Sequence, residues 1–352
     1  VYADLYTVIS RCNFFLERID EVMRNEISDD NLEELEEYTG EVYAIRALCY
    51  SELLKNYCKA YDPATAQSEL GVVIRTKYST PEPIRRASLY DSYKFVLDDL
   101  AEAEKRLDKE EDAYSNEYIT SAGAQALHAI EYASILIDEK KSTFKLADAK
   151  TKYNADYTFF DYMWAYDLSY EIIWRIGFTE TSYGSPLGTV FLNFTKDLTY
   201  YYPDYVPATA ALNLYDAADL RYSGYFAGKE QGLTIGYTNG LDWPMLVKYY
   251  GNRNFTSKLI FHVSMPKPFR LAEQYLIRAE AYCRKNDFTK AGNDLTALRK
   301  MRYASGGTLN VSKNNWLQTI SDERVRELYM EGFRLHDLKR WGKEYADLNG
   351  GY

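Results

Sequence analysis

The aromatic side chains are the residues of this sequence whose types and positions best suit a chemical role, which would be ligand recognition. The 352 residues include 35 Tyr, 15 Phe and 5 Trp, and 27 of these 55 rings fall between residues 150 and 268. A pyranose has an apolar C–H face and a polar rim, so it can stack on an aromatic ring while neighbouring groups bind its hydroxyls. Burying about 100 Å² on one ring contributes about 2.5 kcal/mol. The concentration of rings therefore favours carbohydrate binding.

Loop positions in this segment are the best candidates for exposed rings. Four tyrosines lie next to Pro203 and Pro207, and a loop cannot turn all four phenols inward. Trp243 precedes a proline, and Tyr183 lies between a serine and a glycine, which is also typical of loops. The predicted ligand-binding residues are Tyr183, Tyr200, Tyr201, Tyr202, Tyr205 and Trp243.

The sequence shows no pattern of the kind that catalysis or metal binding uses. The three histidines, His128, His262 and His336, lack the spacing of a metal site or a catalytic triad. No glycine-rich phosphate loop follows a strand, and the four cysteines form no Cys-x-x-Cys pair. We therefore expect no catalytic residue, no metal and no cofactor, and a disulfide between neighbouring helices stays open. The cysteines are Cys12, Cys49, Cys58 and Cys283.

Charge and hydropathy limit the partners. The net charge of −10 and the isoelectric point near 5.1 argue against nucleic acid, whose phosphates require clustered Lys and Arg. No apolar run approaches the 18 or more residues typical of a membrane span. We therefore expect no membrane-spanning helix in this sequence.

Helical periodicity lies on both sides of the aromatic segment. Apolar residues recur three or four apart from Tyr2 to about Asn25, and further helices are predicted after Ser88 and Thr120. The clearest pair covers 270–285 and 287–302, with alanines where the two helices approach and a period near 34 residues, as in tetratricopeptide repeats. The predicted fold is mainly all-α: one domain with a helical-repeat superhelix over 1–141 and 269–342 and an irregular, aromatic-rich, ligand-binding insert with short strands over 142–268.

The stretch Ser321–Gly342 is predicted to be one helix. Its apolar residues recur at helical spacing, Ser321 is placed as the N-cap, and Gly342 follows the last turn as a C-cap glycine. Charged residues between the apolar positions are spaced for ion pairs along the helix. The glycine in the middle, Gly332, is interpreted as a point of close approach by another backbone.

This stretch also carries a family resemblance. Glu323–Leu328, Glu331–Arg334 and Asp337–Gly342 resemble the C-terminal signature of the SusD/RagB family, with His336 where the family favours a large aromatic residue. The resemblance extends to Glu41–Tyr57. Compared with the family, the sequence near 129–130 lacks the turn of a complete repeat, so either this repeat is shortened or residues are absent from the sequence. Trp164 and Trp174 lie in similar family-like runs and are expected in the core.

The resemblance implies a function. Members of the family are outer-membrane lipoproteins that bind nutrients, usually glycans, beside a TonB-dependent transporter. It implies that this chain lies at the surface of a Gram-negative bacterium and contacts the outer membrane only through a lipid anchor carried by residues outside this sequence. There it would capture an oligosaccharide or polysaccharide and pass it to a SusC-type transporter. Two alternatives stay open from the residues alone: a tetratricopeptide adaptor that binds peptides in its concave groove, and an all-helical glycoside hydrolase that uses two of the 52 carboxylates.

Overall fold

The computed structural model describes residues 1–26, 28–78, 84–107, 119–127, 133, 136–138, 142–194, 201–231, 233, 235 and 243–348. Within them the helices are α1 (Tyr2–Leu16), α2 (Ile19–Asn25), α3 (Asp29–Tyr57), α4 (Leu89–Arg106), α5 (Ser121–Leu127), α6 (Phe159–Tyr166), α7 (Thr189–Leu192), α8 (Thr209–Leu212), α9 (Arg221–Tyr225), α10 (Arg253–Thr256), α11 (Leu271–Arg284), α12 (Phe288–Lys300), α13 (Trp316–Glu327) and α14 (Arg334–Leu348). The strands are β1 (Ile172–Trp174), β2 (Phe226–Ala227), β3 (Met245–Leu246) and β4 (Phe269–Arg270). The prediction of a mainly helical fold with short strands is confirmed.

The chain divides into two compact units. Unit 1 comprises Val1–Glu111, Tyr118–Ala133 and Met330–Tyr352, and unit 2 comprises Asp112–Glu117 and Ser134–Tyr329. The division into one domain with a scaffold and an insert at 142–268 stays a prediction, and the junction at 129–130 lies outside the described residues.

Unit 1 is a set of helices fastened by a buried polar contact. The long helix α3 begins after Ser28, whose hydroxyl accepts the N–H of Asn31, and it packs against α1 and α4. At its centre the guanidinium of Arg46 donates to both carboxylate oxygens of Asp99 at 2.8 and 2.7 Å and to the amide oxygen of Asn13 at 2.8 Å. All three side chains are buried, so this contact fixes how α1, α3 and α4 pack.

The sequence left open whether a disulfide joins neighbouring helices. All four cysteines are buried and free, so the described helices carry no disulfide between them. Burial raises the pKa of Cys49 to about 12 and that of Cys283 to about 12. At neutral pH these thiols are therefore protonated and act as small apolar side chains.

The prediction of one helix over Ser321–Gly342 is wrong. Helix α13 ends at Glu327, and α14 begins only at Arg334. Between them Met330 and Gly332 have φ angles of 58° and 90°, which an α-helix cannot include.

The residues proposed as caps and contacts of that helix have other roles. Ser321 is buried inside α13 and is not an N-cap. Nothing lies within 4 Å of a Cβ built on Gly332, so its left-handed backbone explains the glycine, and close approach by another backbone does not. Gly342, with a φ of 49°, marks a kink inside α14.

The helix pair of unit 2 is confirmed. Helices α11 and α12 pack together across a turn in which Asn286 adopts a left-handed φ of 60°. The carboxylate of Asp287 accepts the N–H of Lys290 at 3.2 Å and so caps α12. Ala279 and Ala291 are fully buried, which agrees with close contact between the two helices.

Among the described residues between α5 and α11, the α-helices have four to eight residues and the strands have two or three. Strand β1 pairs antiparallel with β4, and β2 pairs antiparallel with β3, each over two or three residues. Trp164 and Trp174 are each 6% exposed, as expected of core residues. Buried apolar residues of α6, α7, α9, β2 and β3 form one continuous core in unit 2, which includes Phe160, Met163, Trp164, Phe191, Tyr225 and Met245.

A network of fully buried charges joins this irregular segment to the helices of unit 2. Arg221 donates to both carboxylate oxygens of Asp219, at 2.8 and 2.6 Å, and through one nitrogen to Glu323 at 2.8 Å and Glu327 at 3.0 Å. Each of these side chains has no exposed surface. Two carboxylates of α13 are thereby held by a guanidinium that the chain places about 100 residues earlier.

Two further arginines complete the network. Arg302, just after α12, donates to Glu171 at 2.8 Å and to Glu327 at 2.9 Å. Arg270 of β4 also donates to Glu171 and, at 3.2 Å, to Glu327. The buried-charge network therefore consists of Glu171, Asp219, Arg221, Arg270, Arg302, Glu323 and Glu327, with Arg299 and Arg326 bound to Glu323 at its edge.

We predict that Glu327→Gln lowers the free energy of unfolding of unit 2 by about 3–5 kcal/mol, because it leaves buried guanidinium groups without their counter-charge. Denaturant unfolding followed by tryptophan fluorescence measures this loss. Glu180→Gln is the matched control: its pair with Lys258 is half exposed, and its loss should change stability by about 1 kcal/mol or less. Equal effects of the two variants would contradict the role given to the network.

The same carboxylates predict sensitivity to acid. Burial alone would raise the pKa of Glu327, but the charges of Arg302, Arg270 and Arg221 hold it down, to about 2, from an ordinary value of 4.5. The pKa of Glu323 is lowered in the same way. A group with a depressed pKa in the folded state contributes stability that is fully present above its unfolded value and is lost as the pH falls towards its folded value.

We therefore expect the unfolding free energy to fall as the pH is lowered from about 4.5 to about 2. Glu327→Gln should show a shallower decline over this range, because it has one carboxylate fewer to protonate. Denaturant titrations at successive pH values test this, and an identical decline in the variant would show that Glu327 does not carry the acid sensitivity.

Candidate functional site

The segment 201–207 is a surface loop with a fixed backbone. The N–H of Tyr202 donates to the carbonyl of Asn193 at 2.6 Å, and the N–H groups of Asp204 and Tyr205 donate to the carbonyl of Val190 at 2.9 and 3.3 Å. Both acceptors lie at α7, which is packed into the core of unit 2. Tyr202 is 38% exposed and Tyr205 is 63% exposed. The loop therefore presents two phenol rings to solvent from a rigid support.

Trp243 lies against the end of this loop. Its indole Nε1–H donates to the carbonyl of Pro207 at 2.9 Å, and its ring packs on the core of unit 2. Tyr201 is also half buried against this core, with its ring 6.2 Å from that of Phe194, and burial raises its pKa. The structure thus brings Tyr201, Tyr202, Tyr205 and Trp243 together. Tyr201 and Trp243 pack on the core as supports, and Tyr202 and Tyr205 are the exposed rings.

The two other predicted residues are placed differently. Tyr183 is 45% exposed and follows a turn in which Thr179 and Ser182 exchange backbone hydrogen bonds of 2.9 and 3.3 Å. Its ring lies 6.5 Å from that of Phe255, so it belongs to a separate small cluster. Tyr200 lies outside the described residues. The role of all six residues in binding a ligand stays a prediction.

A cluster of tyrosines on α6 was missed by sequence reasoning. The rings of Tyr162 and Tyr166 stack at 4.6 Å, and the ring of Tyr153 lies 3.9 Å from that of Tyr162. Tyr157 closes the cluster against Tyr166 at 5.6 Å. Burial, and next the hydroxyl of Tyr153, raise the pKa of Tyr162 to about 12. The spacing of Tyr162 and Tyr166, one helical turn apart, is the signal that would have placed both on one face of α6.

A cavity of about 340 Å³ is a second feature that the sequence did not indicate. Tyr222, 39% exposed, forms one wall, and Glu230 and Gln231 supply polar groups. The side-chain oxygen of Gln231 accepts the N–H of Gly228 at 2.8 Å, which shapes this wall. Aromatic surface beside carboxylate and amide groups can bind a hydroxylated ligand.

Within the described ranges no three His, Cys, Asp or Glu side chains are grouped so that they could hold a metal ion. Nor does any helix in the described part of the chain combine the length and apolarity needed to cross a bilayer.

Comparison with known proteins places the chain in a family. A family model described as the SusD family matches residues 171–352, and one described as starch-binding, associating with outer membrane, matches residues 1–131. The chain belongs to the SusD family, also called SusD/RagB, as its C-terminal residues suggested.

Individual relatives agree with this assignment. Over 134 residues the chain is 36% identical to the starch-binding protein SusD of Bacteroides thetaiotaomicron, a match that covers 36% of this chain and only 22% of that protein. A SusD superfamily structure from the same organism has a TM-score of 0.75 at 23% identity. The match covers 96% of this chain and 74% of the chain in that structure. Surface glycan-binding protein A from Bacteroides uniformis has a TM-score of 0.70 at 18% identity, and the match covers 99% of this chain and 75% of that protein's chain. The structural matches establish the fold.

We predict that Trp243→Phe loosens the loop, because phenylalanine keeps the apolar contact and loses the hydrogen bond to Pro207. The loss of one such bond costs about 1 kcal/mol, so the amides of Asp204 and Tyr205 should exchange with solvent several-fold faster, as measured by hydrogen–deuterium exchange. Trp316→Phe, at the start of α13, is the matched control and should leave these amides unchanged. Unchanged exchange in Trp243→Phe would show that the indole does not fix the loop.

Proposed function

We propose that this protein binds oligosaccharides, without catalysing their cleavage, through the aromatic rings displayed by unit 2. Tyr202 and Tyr205 lie under sugar rings, Tyr201 and Trp243 hold them in place, and Tyr183 and Tyr200 contribute further contacts. The observation that carries this proposal is the pair of exposed phenols on a loop whose backbone is bonded to a buried helix. Exposed loop rings on a rigid frame are a common form of ligand site.

The energetics suit capture followed by release. One ring that loses about 100 Å² of apolar surface contributes about 2.5 kcal/mol, so two or three rings contribute about 5–8 kcal/mol. After the cost of association, the affinity is expected in the millimolar to micromolar range. Because the loop is already ordered, little of the binding energy is lost in fixing it.

The family supports a location and a partner. One matching family model is described as starch-binding and associating with outer membrane, and one relative is named a starch-binding protein. We infer that this chain acts at the surface of a Gram-negative bacterium, held to the outer membrane by a lipid anchor. There it passes its oligosaccharide to a SusC-type TonB-dependent transporter.

We predict that the double variant Tyr202→Ala/Tyr205→Ala weakens glycan binding by tenfold or more, since each ring lost removes about 1–2.5 kcal/mol. Isothermal titration with maltoheptaose and a panel of other neutral oligosaccharides measures the change. Tyr170→Ala is the matched control, because Tyr170 is a 41% exposed ring of the same unit outside the proposed site.

Two results would contradict the proposal. Equal affinity of the double variant and the control for every ligand that binds would remove the loop from the site. The appearance of new reducing ends when the purified protein is incubated with a bound glycan would show hydrolysis.

A further inference from the structure

A groove of about 640 Å³ runs along one face of α1 in unit 1. On the helix Tyr2, Tyr6, Ile9 and Asn13 line it from one face, since they are spaced four, three and four residues apart, and Ala3, Thr7, Ser10 and Arg11 line it from the side next to that face. A volume of this size lies in the range of pockets for small organic ligands.

The facing wall is an extended segment whose backbone is already held in place. Val73, Arg75 and Lys77 line the groove as alternate residues, since successive side chains of an extended chain point to opposite sides. The hydroxyl of Tyr6 accepts the N–H of Val73 at 3.2 Å and donates to its carbonyl at 2.9 Å. The hydroxyl of Tyr50 does the same for Arg75, at 2.7 and 3.0 Å. The groove is therefore preformed and needs little ordering to receive a ligand.

Two tyrosine rings at this groove remain partly exposed to solvent. Tyr2 and Tyr78 are each 47% exposed. Each is braced by another ring: Tyr2 meets Tyr57 edge to face at 5.0 Å, and Tyr78 meets Phe14 edge to face at 5.0 Å. Braced, half-open phenol rings provide flat apolar surface on which a sugar can stack.

The described residues that line the groove carry a charge opposite in sign to that of the whole chain. They include Arg11, Arg75 and Lys77 and no Asp or Glu, whereas the whole chain has a net charge of −10. Arg11 and Lys77 are exposed, and neither forms an ion pair with another described residue. Beside the groove, Glu17 accepts the N–H of Tyr78 at 2.8 Å and lies 3.7 Å from Arg18. Arg11 and Lys77 are thus available to a ligand that carries negative charge.

We propose that this groove binds an acidic oligosaccharide, with sugar rings on Tyr2 and Tyr78 and the anionic groups paired with Arg11 and Lys77. The anion is a carboxylate, as in a uronic acid, or a sulfate ester, since a guanidinium and an ammonium bind both. The choice of a saccharide over another anion rests on the proposed function, but the residues are separate from those of the loop in unit 2.

The test is isothermal titration of the full chain with three ligands. Tetragalacturonate carries carboxylates, a chondroitin sulfate tetrasaccharide also carries sulfates, and fully methyl-esterified tetragalacturonate keeps the rings without the charge. The variant is Arg11→Gln/Lys77→Gln, and the matched control is Arg24→Gln/Lys94→Gln, which removes the same charge elsewhere in unit 1. We expect at least one acidic ligand to bind, and the groove variant, but not the control, to weaken it by about tenfold or more. Raising the salt concentration should also weaken it.

Several outcomes would overturn the proposal. These are the absence of binding by both acidic ligands, equal binding of the acidic and esterified tetragalacturonates, or equal affinity in the groove variant and its control. Preferential binding of an octaglutamate peptide would assign the groove to acidic peptides instead.

The proposals for the loop in unit 2 and for the groove in unit 1 can be refuted independently. Tyr202→Ala/Tyr205→Ala should leave the affinity for acidic ligands unchanged, and Arg11→Gln/Lys77→Gln should leave the affinity for neutral glycans unchanged. Loss of acidic binding in the loop variant would place both ligand classes at the loop and would overturn the assignment of the groove.

Discussion

The buried-charge network is the interaction on which the rest of unit 2 depends. A charge without a partner inside a protein is so costly that each arginine of the network requires the carboxylates around it. Glu171 immediately precedes β1, and Arg270 lies in its partner strand β4. Asp219 lies just before α9, Arg221 begins it, and Glu327 ends α13. Strands of two or three residues do not fix a long irregular segment by themselves. The network does, because all of these segments must be in place for its charges to be satisfied.

Two buried tyrosines are bound to the backbone beside this network. The hydroxyl of Tyr215 donates to the carbonyl of Arg326 at 3.0 Å, and that of Tyr225 donates to the carbonyl of Glu327 at 2.9 Å. Both rings are buried, and Lys248 lies over Tyr225 while donating to the carbonyl of Tyr329. A phenol is therefore accommodated in the interior where a backbone carbonyl at the end of a helix needs a donor. The abundance of tyrosine therefore partly reflects core structure.

A shared fold with a divergent sequence describes the relationship of this chain to the solved relatives. The solved relatives share the fold at identities of about one in five residues, so the common frame tolerates wide change in sequence. Residues on loops are free to vary without affecting the core. The rings at 201–205 and the cations beside α1 are surface features of this kind, and their chemistry, not the fold, would decide which ligand each surface takes.

The sequence by itself determined the features that rest on local signals. Helical period and a turn predicted α11 and α12, family-like runs predicted that Trp164 and Trp174 are buried, and a long motif predicted the family. Local signals did not reveal the break between α13 and α14, because the left-handed backbone at Met330 has no counterpart in the apolar pattern of that stretch. Nor did they reveal which of several adjacent tyrosines face solvent.

Tertiary structure alone decided the partners of the charged residues. The spacing of Glu327 suggested ion pairs along its own helix, but its partner Arg221 lies 106 residues away, and Arg302 lies 131 residues from Glu171. The sequence pattern shows which side chains share one face of a helix, but it does not show which other segments pack against that face. The energy of a buried charge depends on every group within a few ångströms, and only the folded chain brings those groups together.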